Sequence, residues 1–398
     1  MIVGFVGKPS SGKSTLFNAA TTLDVPMASY PFTTIEANKG IGFVRVECAD
    51  KYFNTQCNPR SGFCYNHTRF VPIEIIDVAG LVPGAHEGKG MGNQFLSDLS
   101  KASILVHVID TSGSTNEKGE QIQLGSYDPT KDIIFLEEEI TLWFLSVIEK
   151  NWTKFARTKL NSKTEQLNLM SQNLSGIGAN PTQIEKAIEK ALLTDKKISE
   201  WNDKDKMEFA KALREVSKPI IIAANKIDMP NAKENFEKLK SSFKDKIFVP
   251  CSAIAELTLK RAAKEGAIEY IQGEKEFKIK KELNEKQSKG LEYIKKNVLE
   301  KIGSTGVQEV LETAVFKVLK YKAIFPGGTK GLTDSQGRIL PDCFLMQPNA
   351  TALDFAFALH TDFGKNFIKA INVKTKQLIG KEHVLENGDV IEIVHGAK

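Results

Sequence analysis

The chain has 398 residues, of which 41% are hydrophobic and 26% charged, an ordinary balance for a folded protein of two or three domains. Its formal net charge is +5, a mild bias that permits contact with nucleic acid but does not argue for it. The longest apolar runs have the length of a strand, so they predict no membrane span, and no signal peptide is recognisable after Met1. We therefore expect a cytoplasmic protein.

Apolar runs rich in β-branched residues alternate with helical patterns over much of the chain. This alternation predicts a βαβ architecture with a parallel sheet, in which ligands bind at the carboxyl ends of the strands. The predicted buried strands are residues 2–6, 70–76, 104–109, 220–224 and 247–250, and helices are expected at 14–22 and 92–102.

The first predicted strand runs into a glycine-rich loop. The loop matches the phosphate-binding pattern G-x-x-x-x-G-K-[ST] at every fixed position and has the required strand before it and helix after it. Its backbone amides can curl around phosphates, and the helix N-terminus adds positive potential. We expect Lys13 to reach the β- and γ-phosphates as a catalytic residue and Ser14 to ligate Mg²⁺. The predicted nucleotide-binding residues here are Gly7, Lys8, Pro9, Ser10, Ser11, Gly12, Lys13, Ser14 and Thr15.

Two further segments provide candidate magnesium ligands. Asp77 follows a second buried strand, where a carboxylate can hold Mg²⁺, and the Gly80 amide three residues later can sense the γ-phosphate. The segment YPFTT (30–34) lies between the two strands, and a threonine hydroxyl there can complete the Mg²⁺ shell until hydrolysis releases it. The chemistry does not choose between Thr33 and Thr34, and an ordinary Ser/Thr-rich loop is the alternative.

The sequence NKID follows the predicted strand at 220–224 and predicts a base-binding site. The Asp228 carboxylate can accept two hydrogen bonds from guanine, whereas adenine lacks both donors, and such sites can discriminate by ~10⁴ or more. Asn225 can brace the loop and contact the edge of the base, and the stem of Lys226 can pack over the base. Ser252 and Ala253 follow the next strand, and a backbone amide there can reach the guanine oxygen.

The long separation between Asp77 and Asn225 exceeds the roughly 60 residues that two βαβ steps need. Leu160, Leu167 and Leu174 in this stretch repeat every seven residues, and a turn-like SGIGANP follows. We therefore expect an inserted helical hairpin, either coiled-coil-like or packed as an ordinary helical subdomain.

After about residue 320 the texture changes to glycine- and proline-rich turns with short alternating runs. The runs LDFAFALH, FIKAINVK and DVIEIVHG predict a compact, mainly β module. The predicted domains are a nucleotide domain at 1–130 and 216–318, a helical insert at 131–215, and a C-terminal module at 319–398.

The five cysteines form no even, closely spaced framework, so we expect no structural disulfides. Cys48, Cys57, Cys64 and His67 fall within 20 residues and are side chains that zinc uses. Their spacing lacks a C-x2-C pair, which favours an ordinary loop over a metal site.

Several segments together carry a family resemblance that spans essentially the whole chain. GKPSSGKSTLFNA, ASYPFTT, DVAGLVPGAHEGKGMGNQFL and NKID resemble the Obg-related GTPases, especially their YchF or Obg-like ATPase branch in its archaeal form. The segments ALDFAFALHTDFGKNFIKA and LENGDVIEIVHG are similar to the TGS domain that ends those proteins. The resemblance implies an α/β fold. A Ras-like P-loop GTPase domain carries an inserted helical, coiled-coil-like domain, and a small β-grasp-like TGS domain follows. It also implies slow hydrolysis and a link to ribosomes, translation or stress.

Three features bear on how far the resemblance extends. Leu81 stands where Ras-like enzymes carry the glutamine that orients the attacking water, so the water must be placed otherwise, and His86 or Glu87 could help. Ser10 stands where potassium-activated relatives carry asparagine, which argues against a K⁺ requirement. Many YchF relatives have lost the acidic NKxD pattern and prefer ATP, whereas this chain retains NKID. We therefore predict a preference for GTP, with ATP as the alternative.

Two functions follow from these patterns. The first is a Mg²⁺-dependent GTPase that switches conformation, hydrolysing slowly because neither the glutamine nor an arginine finger is found near the motifs. The second is a ribosome- or RNA-binding factor whose nucleotide only sets the bound state. The two are compatible. The sequence does not fix the oligomeric state, although a monomer is favoured.

Overall fold

The structure is a computed structural model, and it describes residues 1–21, 38–78, 92–157 and 162–396. The chain divides into two compact units. The first unit consists of residues 1–21 and 38–40 together with the described parts of 74–310, and the second consists of residues 41–73 and 311–396. No helix within these ranges is both long enough and apolar enough to cross a membrane.

Among the described residues, seven strands form one sheet in the order β2-β4-β1-β5-β6-β7, with β3 paired to β4. Strand β1 pairs in parallel with β4 and β5, β5 with β6, and β6 with β7, as expected for βαβ units. Because parallel strands end at the same edge, the segments after β1, β4, β6 and β7 leave the sheet together. The strands are β1 (Ile2–Val6), β2 (Lys39–Glu47), β3 (Phe63–Tyr65), β4 (Thr68–Asp77), β5 (Ile104–Asp110), β6 (Ile220–Asn225) and β7 (Phe248–Pro250).

The sheet alternates with helices, which confirms the predicted βαβ pattern. A short strand pair follows the eighth helix and consists of β8 (Ile268–Glu269) and β9 (Lys278–Ile279). The helices are α1 (Lys13–Ala20), α2 (Gly92–Lys101), α3 (Thr130–Arg157), α4 (Lys163–Asn173), α5 (Pro181–Lys190), α6 (Asp203–Ser217), α7 (Ala232–Ser242), α8 (Ala253–Lys264), α9 (Glu285–Ile294), α10 (Glu300–Ile302) and α11 (Val307–Glu312).

The expected helical hairpin between β5 and β6 is wrong in one respect, because the described stretch contains the four helices α3 to α6. New helices begin after Asn180 and after Asn202, and each asparagine forms a capping box with the residue three positions later. Trp143 and Leu213 share one apolar core with Val6 of the sheet, so the helices pack as an ordinary subdomain. Leu160 of the predicted heptad lies outside the described residues, and the boundaries 131–215 remain a prediction.

The end of the second unit is a small sheet in the order β11-β10-β14-β12-β13, packed on a helix. The sheet confirms the predicted, mainly β module, but the run LDFAFALH within it forms most of a helix and not a strand. Thr351 caps that helix and exchanges hydrogen bonds with Asp354, and Phe355 and Ala356 fill the core. The elements are β10 (Lys322–Pro326), β11 (Phe344–Met346), α12 (Ala352–Leu359), α13 (Thr361–Lys365), β12 (Phe367–Asn372), β13 (Gln377–Ile379) and β14 (Val390–His395).

Candidate nucleotide-binding site

The loop between β1 and α1 is shaped by two glycines. Gly12 lies at φ 91°, in the left-handed region, and a Cβ there would collide with Nδ2 of Asn225. A Cβ at Gly7 would collide with the carbonyl oxygen of Val108 on the neighbouring strand. Helix α1 begins at Lys13, directly after the loop, so its free amides lie where a phosphate would be bound.

Asp77, at the end of β4, lies beside the start of α1. Its Oδ1 forms an ion pair with Nζ of Lys13, and its Oδ2 lies 3.5 Å from Oγ of Ser14. A carboxylate, a serine hydroxyl and an ammonium therefore converge here, as a Mg²⁺–triphosphate site requires. Within the described chain, the buried Oγ of Ser11 in the same loop has no hydrogen-bond partner, which also fits a polar ligand at this edge.

Asn225, at the end of β6, connects two loops. Its Nδ2 donates to the carbonyl oxygen of Ser11 at 3.0 Å, and its Oδ1 accepts from the amide of Ala253 at 3.0 Å. A backbone amide of the segment that contains Ser252 and Ala253 was predicted to reach the guanine oxygen. In this structure the amide of Ala253 donates to Asn225, and that of Ser252 donates to the carbonyl oxygen of Thr305. Ser252 caps α8 and accepts from the amide of Ala255. Asn225 thus braces the loop, as the sequence suggested.

Asp228 lies three residues further on, with its Oδ1 buried and without a partner among the described residues. A buried acceptor without a hydrogen bond costs free energy, and two donors of a guanine base would satisfy it. The Tyr293 hydroxyl donates to the carbonyl oxygen of Asp228 at 3.1 Å and fixes the backbone of this loop. Burial, and then the charges of Asp228 and Glu309, raise the pKa of the Cys251 thiol. No sequence motif points to Glu309.

Lys226 was predicted to cover the base with its stem, and the structure shows what holds its ammonium. Its Nζ lies 2.9 Å from Oδ2 of Asp110, the last residue of β5. Burial alone would raise the pKa of Asp110, but hydrogen bonds from Ser112 and Lys226 hold it below its usual value, so the carboxylate is charged. Sequence reasoning missed Asp110. The signal was available, because Asp110 ends a buried parallel strand as Asp77 does.

Lys8 was predicted to bind nucleotide as part of the loop, but its side chain is engaged elsewhere. Its Nζ lies 3.0 Å from Oδ2 of Asp132 and donates to the carbonyl oxygen of Thr115 at 2.9 Å. It also lies 3.7 Å from the ring centre of Tyr127. Any contact of Lys8 with phosphate would therefore come from its backbone amide.

Several predicted residues lie outside the described residues: Thr33, Thr34, Gly80, Leu81, His86 and Glu87. The remaining predicted residues of the phosphate loop, Pro9, Ser10 and Thr15, lie between β1 and α1 or in the first turn of α1.

Comparison with known families agrees with this geometry. Residues 2–138 match the family described as 50S ribosome-binding GTPase. Residues 223–327, which contain Asn225 to Asp228, match the Obg-like GTPase YGR210-like, G4 motif-containing domain. Residues 336–395 match the TGS domain.

Individual relatives extend the likeness along the chain. A GTP-binding protein of Methanocaldococcus jannaschii is 43% identical over 398 residues and is covered fully, as is this chain. A protein of Bacillus subtilis named ribosome-binding ATPase YchF is 27% identical, with 98% of both chains covered.

Solved structures give the same picture. A GTP-binding protein from Pyrococcus horikoshii OT3 has a TM-score of 0.78 at 36% identity, with both chains covered fully. The Schizosaccharomyces pombe YchF GTPase shares the fold, with a TM-score of 0.60 at 20% identity over 99% of this chain and 97% of that one. With a 43% identical relative matched from end to end, the chain belongs to the Obg-related P-loop GTPases, in the YchF or Obg-like ATPase subfamily with a C-terminal TGS domain.

Proposed function

We propose that this protein is a Mg²⁺-dependent GTPase that prefers GTP over ATP and changes its binding state with the nucleotide. The observation that carries the preference is Oδ1 of Asp228, which is buried and has no hydrogen-bond partner among the described residues. Asp228 lies three residues after Asn225, the last residue of β6. Guanine offers two donors to a carboxylate at this position, and adenine offers none, so adenine would leave the buried oxygen unpaired.

The phosphate end of the site supports hydrolysis. When bound, Mg²⁺ would neutralise charge on the β- and γ-phosphates, with Ser14 and Asp77 as the residues to hold it and Thr33 or Thr34 completing its shell. Lys13 and the amides of the loop would stabilise the charge that develops as water attacks in line. Leu81 replaces the water-orienting glutamine, so we propose slow turnover, in the Ras-like range of ~10⁻³ s⁻¹, with His86 as a candidate to help place the water and Gly80 to sense the γ-phosphate.

The base end is tested by equilibrium binding of fluorescent GTP and ATP analogues, with Mg²⁺ present, to the parent protein and to Asp228→Asn. We expect the parent to bind GTP more tightly and the variant to lose at least about 10²-fold in GTP affinity while ATP affinity changes little. Asp245→Asn, at an exposed carboxylate in the same unit, is the matched control and should change neither affinity. Equal or tighter ATP binding that ignores the Asp228 substitution would replace this proposal with an ATP-preferring Obg-like ATPase.

We also propose that the output of the switch is binding to the ribosome. Support comes from the match to a family described as 50S ribosome-binding GTPase and from the Bacillus subtilis relative named ribosome-binding ATPase. Co-sedimentation with ribosomes should depend on salt and on whether GTP or GDP is bound. Absence of co-sedimentation in every nucleotide state at low salt would refute this part and leave the GTPase proposal standing.

A further inference from the structure

The second unit contains a cluster of metal-ligating side chains that the nucleotide chemistry does not use. The sulfur atoms of Cys48, Cys57 and Cys64 and a carboxylate oxygen of Asp50 all lie within 4.8 Å of one another. Cys48, Asp50 and Cys57 are buried, and Cys64 is half-buried. The sequence favoured an ordinary loop for these cysteines, and that expectation did not anticipate their convergence.

The local fold explains the convergence. Cys48 directly follows β2, Asp50 lies in the tight turn Ala49–Lys51, and Cys64 is the middle residue of β3. The amide of Cys48 donates to the carbonyl oxygen of His67 at 2.8 Å, which ties the end of β2 to the turn that follows β3. The cluster is therefore held by backbone structure and does not depend on a short C-x2-C spacing.

The sulfur separation fits a shared ion better than a disulfide. Sγ of Cys48 lies 3.5 Å from Sγ of Cys57, whereas a disulfide brings the two sulfurs to about 2.05 Å. Two thiolates on a tetrahedral zinc ion, each bonded at about 2.3 Å, lie about 3.8 Å apart. The observed separation is close to that value.

Asp50 is oriented as a metal ligand would be. Its carboxylate is fully buried, Oδ2 accepts from the amide of Cys57 at 2.9 Å, and Oδ1 lies 2.9 Å from Nδ1 of His67. Partners of this kind fix the direction of a ligating carboxylate. We therefore assign Asp50 as the fourth ligand and His67 as the residue that orients it.

The surrounding charge is also suited to a thiolate site. Three thiolates and one carboxylate around a divalent ion carry a net charge of −2, which is costly to bury without compensation. The Arg69 guanidinium, only 1% exposed, donates to Sγ of Cys57 at 3.6 Å. A buried cation beside the ligand sulfur offsets one of these negative charges.

We propose that Cys48, Asp50, Cys57 and Cys64 bind one zinc ion that stabilises the second unit. Three sulfur ligands and a carboxylate suit Zn²⁺, whereas Mg²⁺ and Ca²⁺ prefer oxygen ligands alone. A [4Fe–4S] cluster binds each of its cysteines to a different iron atom, so its cysteine sulfurs stand further apart than the 4.8 Å within which these ligand atoms lie. Four protein ligands leave no open position, so the ion is structural.

The first test is the metal content of the full-length protein, purified under reducing conditions without chelator and measured by elemental mass spectrometry. We expect about one zinc per chain in the parent, as four ligands to one ion require. The double variant Cys57→Ser/Cys64→Ser should lose the zinc. Cys251→Ser, at a buried cysteine of the first unit, should retain it. Zinc retained by the double variant would overturn the assignment of these ligands.

A second measurement does not depend on any variant folding. The chelator-treated, reduced parent protein is titrated with Co²⁺, and intense visible bands at one equivalent are expected because tetrahedral thiolate sites produce them. Zinc added afterwards should remove those bands. A parent protein without zinc that also gives no such bands overturns the proposal, as does a Cys48–Cys57 disulfide in protein kept under reducing conditions.

Discussion

The loops at the sheet edge of the first unit and the cysteine cluster of the second unit both gather side chains that are separated in sequence, but in opposite ways. At the sheet edge, the residues meet because parallel strands end together, so Asp77 of β4 lies beside Lys13 of α1. In the cluster, Cys48, Cys57 and Cys64 meet because one short stretch folds back on itself. The first arrangement follows from fold topology and the second from local turns.

The two regions also differ in what their polar atoms do. The sheet edge keeps acceptors unsatisfied by the described protein, including Oδ1 of Asp228 and Oγ of Ser11, as expected of a site that exchanges its ligand. In the cluster, Asp50 and Cys57 are satisfied by the protein around them. Partners of this kind would hold the direction of the ligands around a permanent ion.

The largest expected effect concerns the nucleotide-binding site at the sheet edge of the first unit. Lys13→Ala removes the cation that lies between the phosphate loop and Asp77, and GTP hydrolysis should fall by about 10²- to 10³-fold, or ~3–4 kcal/mol in activation free energy. Single-turnover hydrolysis with Mg²⁺ measures the change. Lys233→Ala, at an exposed lysine of α7, is the control and should hydrolyse at the parental rate. If Lys13→Ala also hydrolyses at that rate, the loop is not the catalytic centre.

The next largest expected effect concerns the cysteine cluster of the second unit. Arg69 donates to the carbonyl oxygens of Leu340 and Pro341 at 3.1 and 2.6 Å as well as to Cys57. Arg69→Met leaves the buried carbonyl of Leu340 without this donor and leaves that of Pro341 with the amide of Arg60 alone, so the free energy of unfolding should fall by about 3 kcal/mol, measured by urea denaturation.

Arg60→Met is the matched control for that experiment. Arg60 lies in the same unit, is 51% exposed, and pairs with Asp342 at 3.1 Å. An exposed ion pair is worth about 0–1 kcal/mol, so this change should cost far less. If both variants lose the same free energy of unfolding, the buried hydrogen bonds of Arg69 stabilise the protein no more than an exposed ion pair does. That result would also argue against a role for Arg69 beside the cysteines.

Motifs in the sequence assigned Lys13 and Asp77 to one site, and the structure places them side by side, whereas the convergence of Cys48, Cys57 and Cys64 was not predicted. The difference has a physical reason. A phosphate loop must place glycines and a lysine at fixed offsets, so Gly7, Gly12 and Lys13 are legible without a structure. A metal cluster assembled by turns has no obligatory spacing, and the turn at 49–51 was not predictable. Similarly, the alternation in LDFAFALH favoured a strand, whereas the segment is a helix that is capped at Thr351 and packs Phe355 into the core.

The same contrast explains what was missed at the sheet edge itself. Asp110 occupies the end of β5, a position that topology makes functional, but it belongs to no fixed motif. Glu309 lies far along the chain in α11, and no pattern connects it with Asp228. Residues at fixed motif positions could be predicted directly, and Asp110 could have been found from its place at the end of a predicted strand, whereas Glu309 required the fold.

The smallest expected effect concerns Asn225. It tests whether this residue braces the loops of the nucleotide-binding site or recognises the base. Asn225→Ala removes two buried hydrogen bonds, one to Ser11 and one to Ala253, so the free energy of unfolding should fall by about 2 kcal/mol. Because both loops lose their brace, GTP and ATP affinity should fall together, by roughly 10-fold each. Asn235→Ala breaks a single bond to the carbonyl oxygen of Thr111, so it should cost about 1 kcal/mol and leave both affinities unchanged. If Asn225→Ala weakens GTP alone, Asn225 reads the base directly, and the bonds seen here are not its main function.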